Sequence, residues 1–270
     1  MAASQRTVSS AYADYMRLLI NPFTNNVAPK KLLDGQVERS AGIRLRQTGE
    51  LALNTSAVSY IALFPGFGNN FSWQISGSNN GPSPYPYHVN TDENRALIRT
   101  IRLAGVGLRL TLNNAALEND GYWEAARVPY AAADFTIASG DWAQVLYNLP
   151  TTDVDLSNYQ TYQTGKLKDI HLVQFGLNSR DNDHNFVGPP GTAPCTIDKM
   201  SDPSWDVIMI KLHGRTASAS NLTYDVVSLQ EVAYREDTQP ARLMTKNVRI
   251  PNFEGQLTKT RFTTPAVRRM

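Results

Sequence analysis

The chain has 270 residues, 41% of them hydrophobic and 19% charged, which is enough to bury a core unaided and too apolar for a disordered chain. Its 17 glycines and 15 prolines follow no collagen period, and the net charge of +2 marks neither a polyanion nor a polycation. One cysteine, Cys195, excludes an intrachain disulfide, a thiolate zinc cluster and a CxxC redox pair.

Met1 to Ser10 lack the cationic start and apolar core of a signal peptide, and no apolar run approaches the roughly 20 residues needed to span a bilayer. The expectation is a chain made in the cytosol or nucleus and not secreted, for which the sequons at Asn54, Asn70 and Asn221 carry no meaning. From Ser9 to Ile20, the residues Tyr12, Tyr15, Met16, Leu19 and Ile20 fall at three- and four-residue steps. That spacing predicts a short helix, stopped by Asn21 and Pro22, which either packs on its own domain or docks as an arm on a neighbour.

Strand patterns dominate the rest of the chain. Ser40 to Leu53, interrupted at Gly49, and Ala57 to Phe64 read as two strands, the second ended by Pro65, Gly66 and Gly68. Residues 77–94 form a polar loop bearing Tyr85 and Tyr87. Ala96 to Leu112 is the longest strand signal, and Gly105 and Gly107 within it predict a bulge or a close backbone approach. The chain turns at Asn113 to Gly121 and returns along Tyr122 to Val128. Between Pro129 and Gly165 the pattern weakens into an insertion, where Trp142, Val145, Leu146 and Leu149 suggest a short helix over Asp141 to Leu149. Strand signals resume at Leu167 to Leu177, and after a second long loop Trp205 to Leu212 and Leu222 to Tyr234 form the clearest pair. Eight or so strands with no βα alternation and no internal repeat predict one all-β sandwich or barrel.

Charge is distributed in blocks. Residues 1–109 carry 11 basic and 6 acidic side chains, residues 110–240 carry 8 and 17, and residues 241–270 carry 7 and 1. The ends are therefore basic and the middle acidic, and arginine outnumbers lysine 18 to 8, a bias that suits phosphates and desolvated interfaces. The blocks fit polyanion binding, self-association or merely solvated faces.

Catalytic constellations are missing from the pattern. His88, His171, His184 and His213 form no HxH, HExxH or HxxxH pair, and GxSxG, GxxxxGK(S/T) and a strand-linked GxGxxG do not occur. Asp181, Asn182 and Asp183 offer oxygens to a hard cation, but the remaining EF-hand spacing is absent, so a solvated acidic loop is the simpler reading. No metal, no cofactor and no enzyme activity are expected.

Several stretches are similar to a known group: NPF with LLDGQVERSAGIRLR, IRLAGVGLRLTLNN with ENDGYWEAARVP, and WDVIMIKLHGR with LTYDVVSLQEVAYR. From about Asn21 to Arg235 the chain resembles capsid proteins of small circular Rep-encoding single-stranded DNA viruses, and more distantly the shell domains of nodaviruses and tombus-like viruses. The resemblance implies a single eight-stranded jelly roll of two four-stranded sheets, many copies of which form an icosahedral shell around nucleic acid. It divides the chain into an N-terminal helical arm (1–34), a jelly-roll shell domain (35–235) and a basic C-terminal tail (236–270). Two departures stand out. The first 20 residues hold only Arg6 and Arg17 instead of a dense arginine arm, and the sole Asn-Ala, Asn114-Ala115, lies mid-sandwich, so nodavirus-like self-cleavage is not expected. With about 35 residues after Arg235, no large projecting domain is expected either.

The basic residues of the tail, Lys246, Arg249, Lys259, Arg261, Arg268 and Arg269, are the candidate nucleic-acid contacts. They offer charge without a groove-reading element and so predict sequence-independent binding, unless the segment is pinned between subunits instead. The partners expected are further copies of the chain and viral nucleic acid, with no membrane anchor. The alternative reading is a monomeric or low-order lectin-like β-sandwich that stacks Trp73, Tyr85 and Tyr87 on sugars.

Overall fold

The computed structural model describes residues 13–14, 16–18, 20–24, 40–52, 58–64, 70–75, 78–80, 97–113, 121–129, 135–137, 145–150, 152–167, 169–175, 184–185, 206–214, 221–234, 239–243 and 267–268. Among them fourteen strands occur: β1 (Ser40–Ala52), β2 (Ser59–Leu63), β3 (Phe71–Ile75), β4 (Ser78–Asn80), β5 (Ile98–Leu112), β6 (Gly121–Val128), β7 (Phe135–Ile137), β8 (Val145–Tyr147), β9 (Gln163–Lys166), β10 (Asp169–Phe175), β11 (His184–Asn185), β12 (Val207–Gly214), β13 (Asn221–Tyr234) and β14 (Val267–Arg268). The first sheet runs β1-β13-β5-β10-β14, with β11 also on β5, and the second runs β4-β3-β2-β12-β6-β9. Stripped of the short additions, the orders are β1-β13-β5-β10 and β2-β12-β6-β9. With the eight principal strands lettered B to I along the chain, they read B-I-D-G and C-H-E-F, a two-sheet jelly roll.

Alternation explains the interior. Leu45, Val106, Leu108, Leu110, Leu222 and Val226 from the first sheet meet Ile61, Leu63, Phe71, Trp123, Ile208 and Ile210 from the second in one buried cluster. Phe71, Trp73 and Tyr224 form a ring cluster with centroids 5.1 to 5.9 Å apart. Trp73 thus packs against the core and does not project as a sugar platform, while Tyr85 and Tyr87 lie outside the described residues. Asn70 is fully buried, its amide donating to the Phe64 carbonyl at 3.2 Å, so this sequon is no acceptor site.

The glycines expected to interrupt strands have separate roles. Gly49 does not break β1: its missing side chain leaves room for the Tyr224 ring, whose Oη lies 2.5 Å from where a Cβ would be. Beside Gly105 the pairing with β13 slips by one residue, Leu229 facing Gly105 and Gln230 facing Leu103, which is the expected bulge. Gly107 is a close approach, since a Cβ there would collide with the Pro22 ring. Pro22 and Phe23 end the N-terminal helical segment, Leu18 is buried, and the Arg109 guanidinium sits 4.6 Å above the Phe23 ring. This helix therefore lies on the outer face of the first sheet of its own chain.

Two expectations fail in the insertion. The segment read as a helix contains β8, which pairs with β7 through Val145 to Ile137 and Tyr147 to Phe135. The hairpin, with Tyr147 buried beside Phe64, overrides the helical spacing of Trp142, Val145 and Leu149. The later strands begin earlier than expected as well, because Gln163–Lys166 pairs with β6. That strand is polar and short, its side chains alternating between half-buried and exposed, so hydrophobic periodicity gave no sign of it.

Candidate functional site

Residues 148–150 and 152–162, here called the strap, cross the outer face of the second sheet. Leu149 and Leu156 of the strap, with Tyr147, are buried against Tyr60, Ala62, Phe64, Ala126, Val207 and Met209, and Val154, Tyr159 and Tyr162 pack around them. The second sheet is thus apolar on both faces, which is why WDVIMIKL reads as a nearly continuous apolar run. Within the strap, backbone hydrogen bonds run from Tyr159 to Leu156 and from Tyr162 to Tyr159. It is fixed to the sheet through side chains: the Val154 N–H donates to the Tyr60 hydroxyl (3.1 Å), and the Arg127 N–H to the Thr161 hydroxyl (2.8 Å).

An ionic network sits at one margin of this cover. Lys211 of β12 has its side chain only 7% exposed, with Nζ 2.7 Å from Asp153 Oδ1 and 3.9 Å from Glu124 Oε1. Tyr60 Oη lies 3.0 Å from the same Asp153 oxygen. His213 Nε2 stands 2.7 Å from Glu124 Oε1. Burial pulls the Lys211 pKa down, but the Asp153 hydrogen bond and the Glu124 and Asp153 charges outweigh it and leave it raised. Hydrogen bonds from Lys211 and Tyr60 hold the Asp153 carboxyl below the usual carboxylate range, and burial raises Tyr60. The arrangement pairs each buried charge with an opposite one and anchors the strap. It provides no nucleophile with an aligned base, and no group of metal-binding side chains occurs among the described residues.

A second feature lies at the end of the sandwich. Gly121 opens β6 at φ 127°, where a Cβ would strike the His213 carbonyl. Tyr122 follows, 47% exposed, its ring stacked on His213 with centroids 4.0 Å apart and planes at 11°.

Periodicity and motifs gave no role to Lys211, Glu124, Asp153, Tyr60 or Tyr122, although Tyr122 and Glu124 fall in the ENDGYWEAARVP stretch that carries the resemblance. One signal was present: a lysine in phase with apolar neighbours inside WDVIMIKL needs a counter-ion once buried. Of the tail cations, Arg268 lies in β14, opposite His171 of β10. Lys246, Arg249, Lys259, Arg261 and Arg269 lie outside the described residues, as do His88, Cys195 and the Asp181–Asp183 loop. His171 and His184 fall in β10 and β11. No helix among the described residues is long and apolar enough to cross a membrane.

Two facing sheets in B-I-D-G and C-H-E-F order define a jelly roll, a fold that viral capsid domains share with lectin domains. The model of the Shotokuvirus capsid protein family matches residues 85–192 and 190–267, and the chain belongs to that family. The capsid protein of Chaetoceros diatodnavirus 1 is 23% identical over 312 residues, covering 90% of this chain and 78% of its own. The capsid protein of Avon-Heathcote Estuary associated kieseladnavirus is 23% identical over 306 residues, covering 86% and 81%. Among solved structures, the T13 particle of infectious bursal disease virus superposes with a TM-score of 0.63 at 10% identity, over 99% of this chain and 95% of that one. The T=1 particles derived from the same virus give 0.57 at 10% identity, over 93% and 90%. The fold expected from the sequence is confirmed, each sheet being extended by short extra strands.

Proposed function

We propose that many copies of this chain close into an icosahedral shell around a nucleic-acid genome, with a helical arm at 1–34, a shell domain at 35–235 and a basic tail at 236–270. Membership of the capsid family carries this reading, and the similar solved structures come from closed viral particles. A capsid protein is a part of the virion; synthesis in the host cytoplasm or nucleus without secretion, and a structural role without cofactor, catalysis or membrane anchor, complete the proposal. Size exclusion and electron microscopy of the purified chain test it. Closed particles of on the order of sixty copies or a multiple are expected, because identical subunits build a container only by closed symmetry. A stable monomer at high concentration across salts and pH values would overturn it.

The nucleic-acid contacts in this reading are Lys246, Arg249, Lys259, Arg261, Arg268 and Arg269, which bind phosphates without regard to sequence. Each contact releases counterions, so log affinity for single strands falls with log salt by about 0.7 per contact. Replacing Arg261, Arg268 and Arg269 by Ala should flatten that slope and reduce packaged nucleic acid while shells still form. Unchanged packaging would make the segment an element of subunit contact.

A further inference from the structure

We infer that the outer edge of β1 joins a second copy of the chain, the two β1 strands running antiparallel about a two-fold axis at Gln47. The inference rests on the shell-forming reading and names one of its subunit contacts. β1 stands at the end of its sheet, and among the described residues no strand lies on its other side. It is 13 residues long and holds no proline, and its pairing with β13 runs from Ser40 to Ala52 without a register shift. Natural sheets shorten, bulge or cover such an edge, because its backbone N–H and C=O groups are a template for a further strand.

The sequence of β1 selects the strand that fits. Leu45 and Leu51 belong to the core, so the odd-numbered residues face inward, while Arg46, Thr48 and Glu50 are exposed on the outer face. With Gln47 on the axis, Arg44 stands opposite Glu50 of the second copy and Glu50 opposite its Arg44, Ile43 opposite Leu51, and Arg46 opposite Thr48. Opposite charges and apolar side chains directly across a ladder are the pairs that stabilise a sheet. Within the subunit Ile43 is only partly buried. Burial and the neighbouring Arg46 charge lower the Arg44 pKa, so a carboxylate arriving across the seam meets a charge that its own subunit disfavours. Other registers fit worse. An axis at Leu45 or Arg46 sets arginines against each other. An axis at Thr48 sets Glu50 opposite Arg46, which already holds Asp225 through two hydrogen bonds, and loses the pairing of Ile43 with Leu51. The contact at Gln47 is isologous, the kind that closed symmetric assemblies use at their two-fold axes.

The test places a cysteine on the axis, in a background carrying Cys195→Ser. Directly opposed residues of antiparallel strands have Cα atoms about 4.5–5.5 Å apart, within the roughly 4.4–6.8 Å that a disulfide spans. Mild oxidation of assembled shells should therefore convert most Gln47→Cys subunits into covalent dimers on non-reducing gels. Thr48→Cys, whose copies lie diagonally to each other, should stay monomeric. Gln47→Cys shells that yield no dimers would overturn the contact and leave the edge to another segment of the chain, and dimers from Thr48→Cys alone would overturn the register. Glu50→Arg, which sets arginines across the seam, should raise the protein concentration needed for assembly by roughly threefold or more, and adding Arg44→Glu should restore it. A double variant that assembles no better than Glu50→Arg would overturn the charge pairing. Covalent dimers without particles would keep the contact and overturn the shell reading, whereas particles without dimers overturn the contact alone.

Discussion

Lys211 carries a charge into a strand that is otherwise apolar on both faces, and its two carboxylate partners differ in kind. Glu124 is nearly buried, with its side chain 12% exposed, and Asp153 is open to water at 72%. Removing the ammonium strands Glu124 more than Asp153. Lys211→Ala should lower the unfolding free energy by about 2 kcal/mol in a denaturant titration, and Tyr60→Phe, which loses the hydroxyl between Asp153 and the Val154 N–H, by about 1 kcal/mol. The pH response follows from the shift directions. The Asp153 and Asp155 pKa values are lowered in the fold, so their contribution is complete above the ordinary carboxylate value of about 3.9 and is lost as pH falls through the lower folded values. The Lys211 pKa is raised, so its contribution is complete below its ordinary value of about 10.4 and is lost as pH rises through the higher folded one. Hydrogen exchange of strap amides, corrected for intrinsic rates, should therefore show steady protection through the neutral range and local opening in strong acid before β5 and β13 open. Simultaneous opening of strap and core strands would show that the strap is not held independently.

At the level of elements, the docking of the helical segment onto the first sheet turns on Gly107. A valine there would displace Pro22 and Phe23, at a cost of about 1–3 kcal/mol, and Leu18 should become accessible to solvent exchange. Gly121→Ala meets both a positive φ and the His213 carbonyl and should cost a similar amount, about 1–3 kcal/mol, by thermal unfolding. The six long strands were legible in the sequence because β-branched and aromatic residues alternate with polar ones, or run continuously where both faces are buried. The bulge at Gly105 and the close approach at Gly107 were legible for a different reason: glycine inside a strand marks lost pairing or lost space. What escaped was defined by partners distant in sequence. β9 is polar and acquires its identity by pairing with Tyr122 to Ala125. β8 is three residues long and depends on β7. The ionic network draws on residues 60, 124, 153, 211 and 213, which no local window brings together.

For the whole molecule, the charge blocks meet partly within the subunit. Arg46 of the basic first block makes two hydrogen bonds, 2.8 and 2.7 Å, to Asp225 of the acidic middle block, and this pairing raises the Arg46 pKa. Fewer charges are left to join subunits than the raw blocks suggest. Light scattering of assembling subunits should show association weakening with ionic strength over the range where the Debye length passes about 8 Å, but levelling off at high salt where apolar contacts remain. Association abolished outright by moderate salt would mean that the blocks act mainly between subunits.

The pairing of β1 with β13 places Ser40 opposite Ala233 and Ala52 opposite Asn221. One of the earliest strands to leave the ribosome thus acquires its neighbour only when the C-terminal part of the chain has been translated. β5, in the middle of the same sheet, waits for that strand too. Until then the inner faces of both strands, Leu45, Leu51, Val106, Leu108 and Leu110, have no sheet to complete. Contacts so distant along the chain fold slowly and leave apolar surface open to aggregation meanwhile. A ribosome-stalled chain truncated at residue 215 should therefore be digested by protease across β1 and β5, and one extended by a linker so that residue 243 has cleared the exit tunnel should resist. The order of synthesis thereby separates folding from assembly, since no subunit can offer a finished first sheet to another before β13 has been translated.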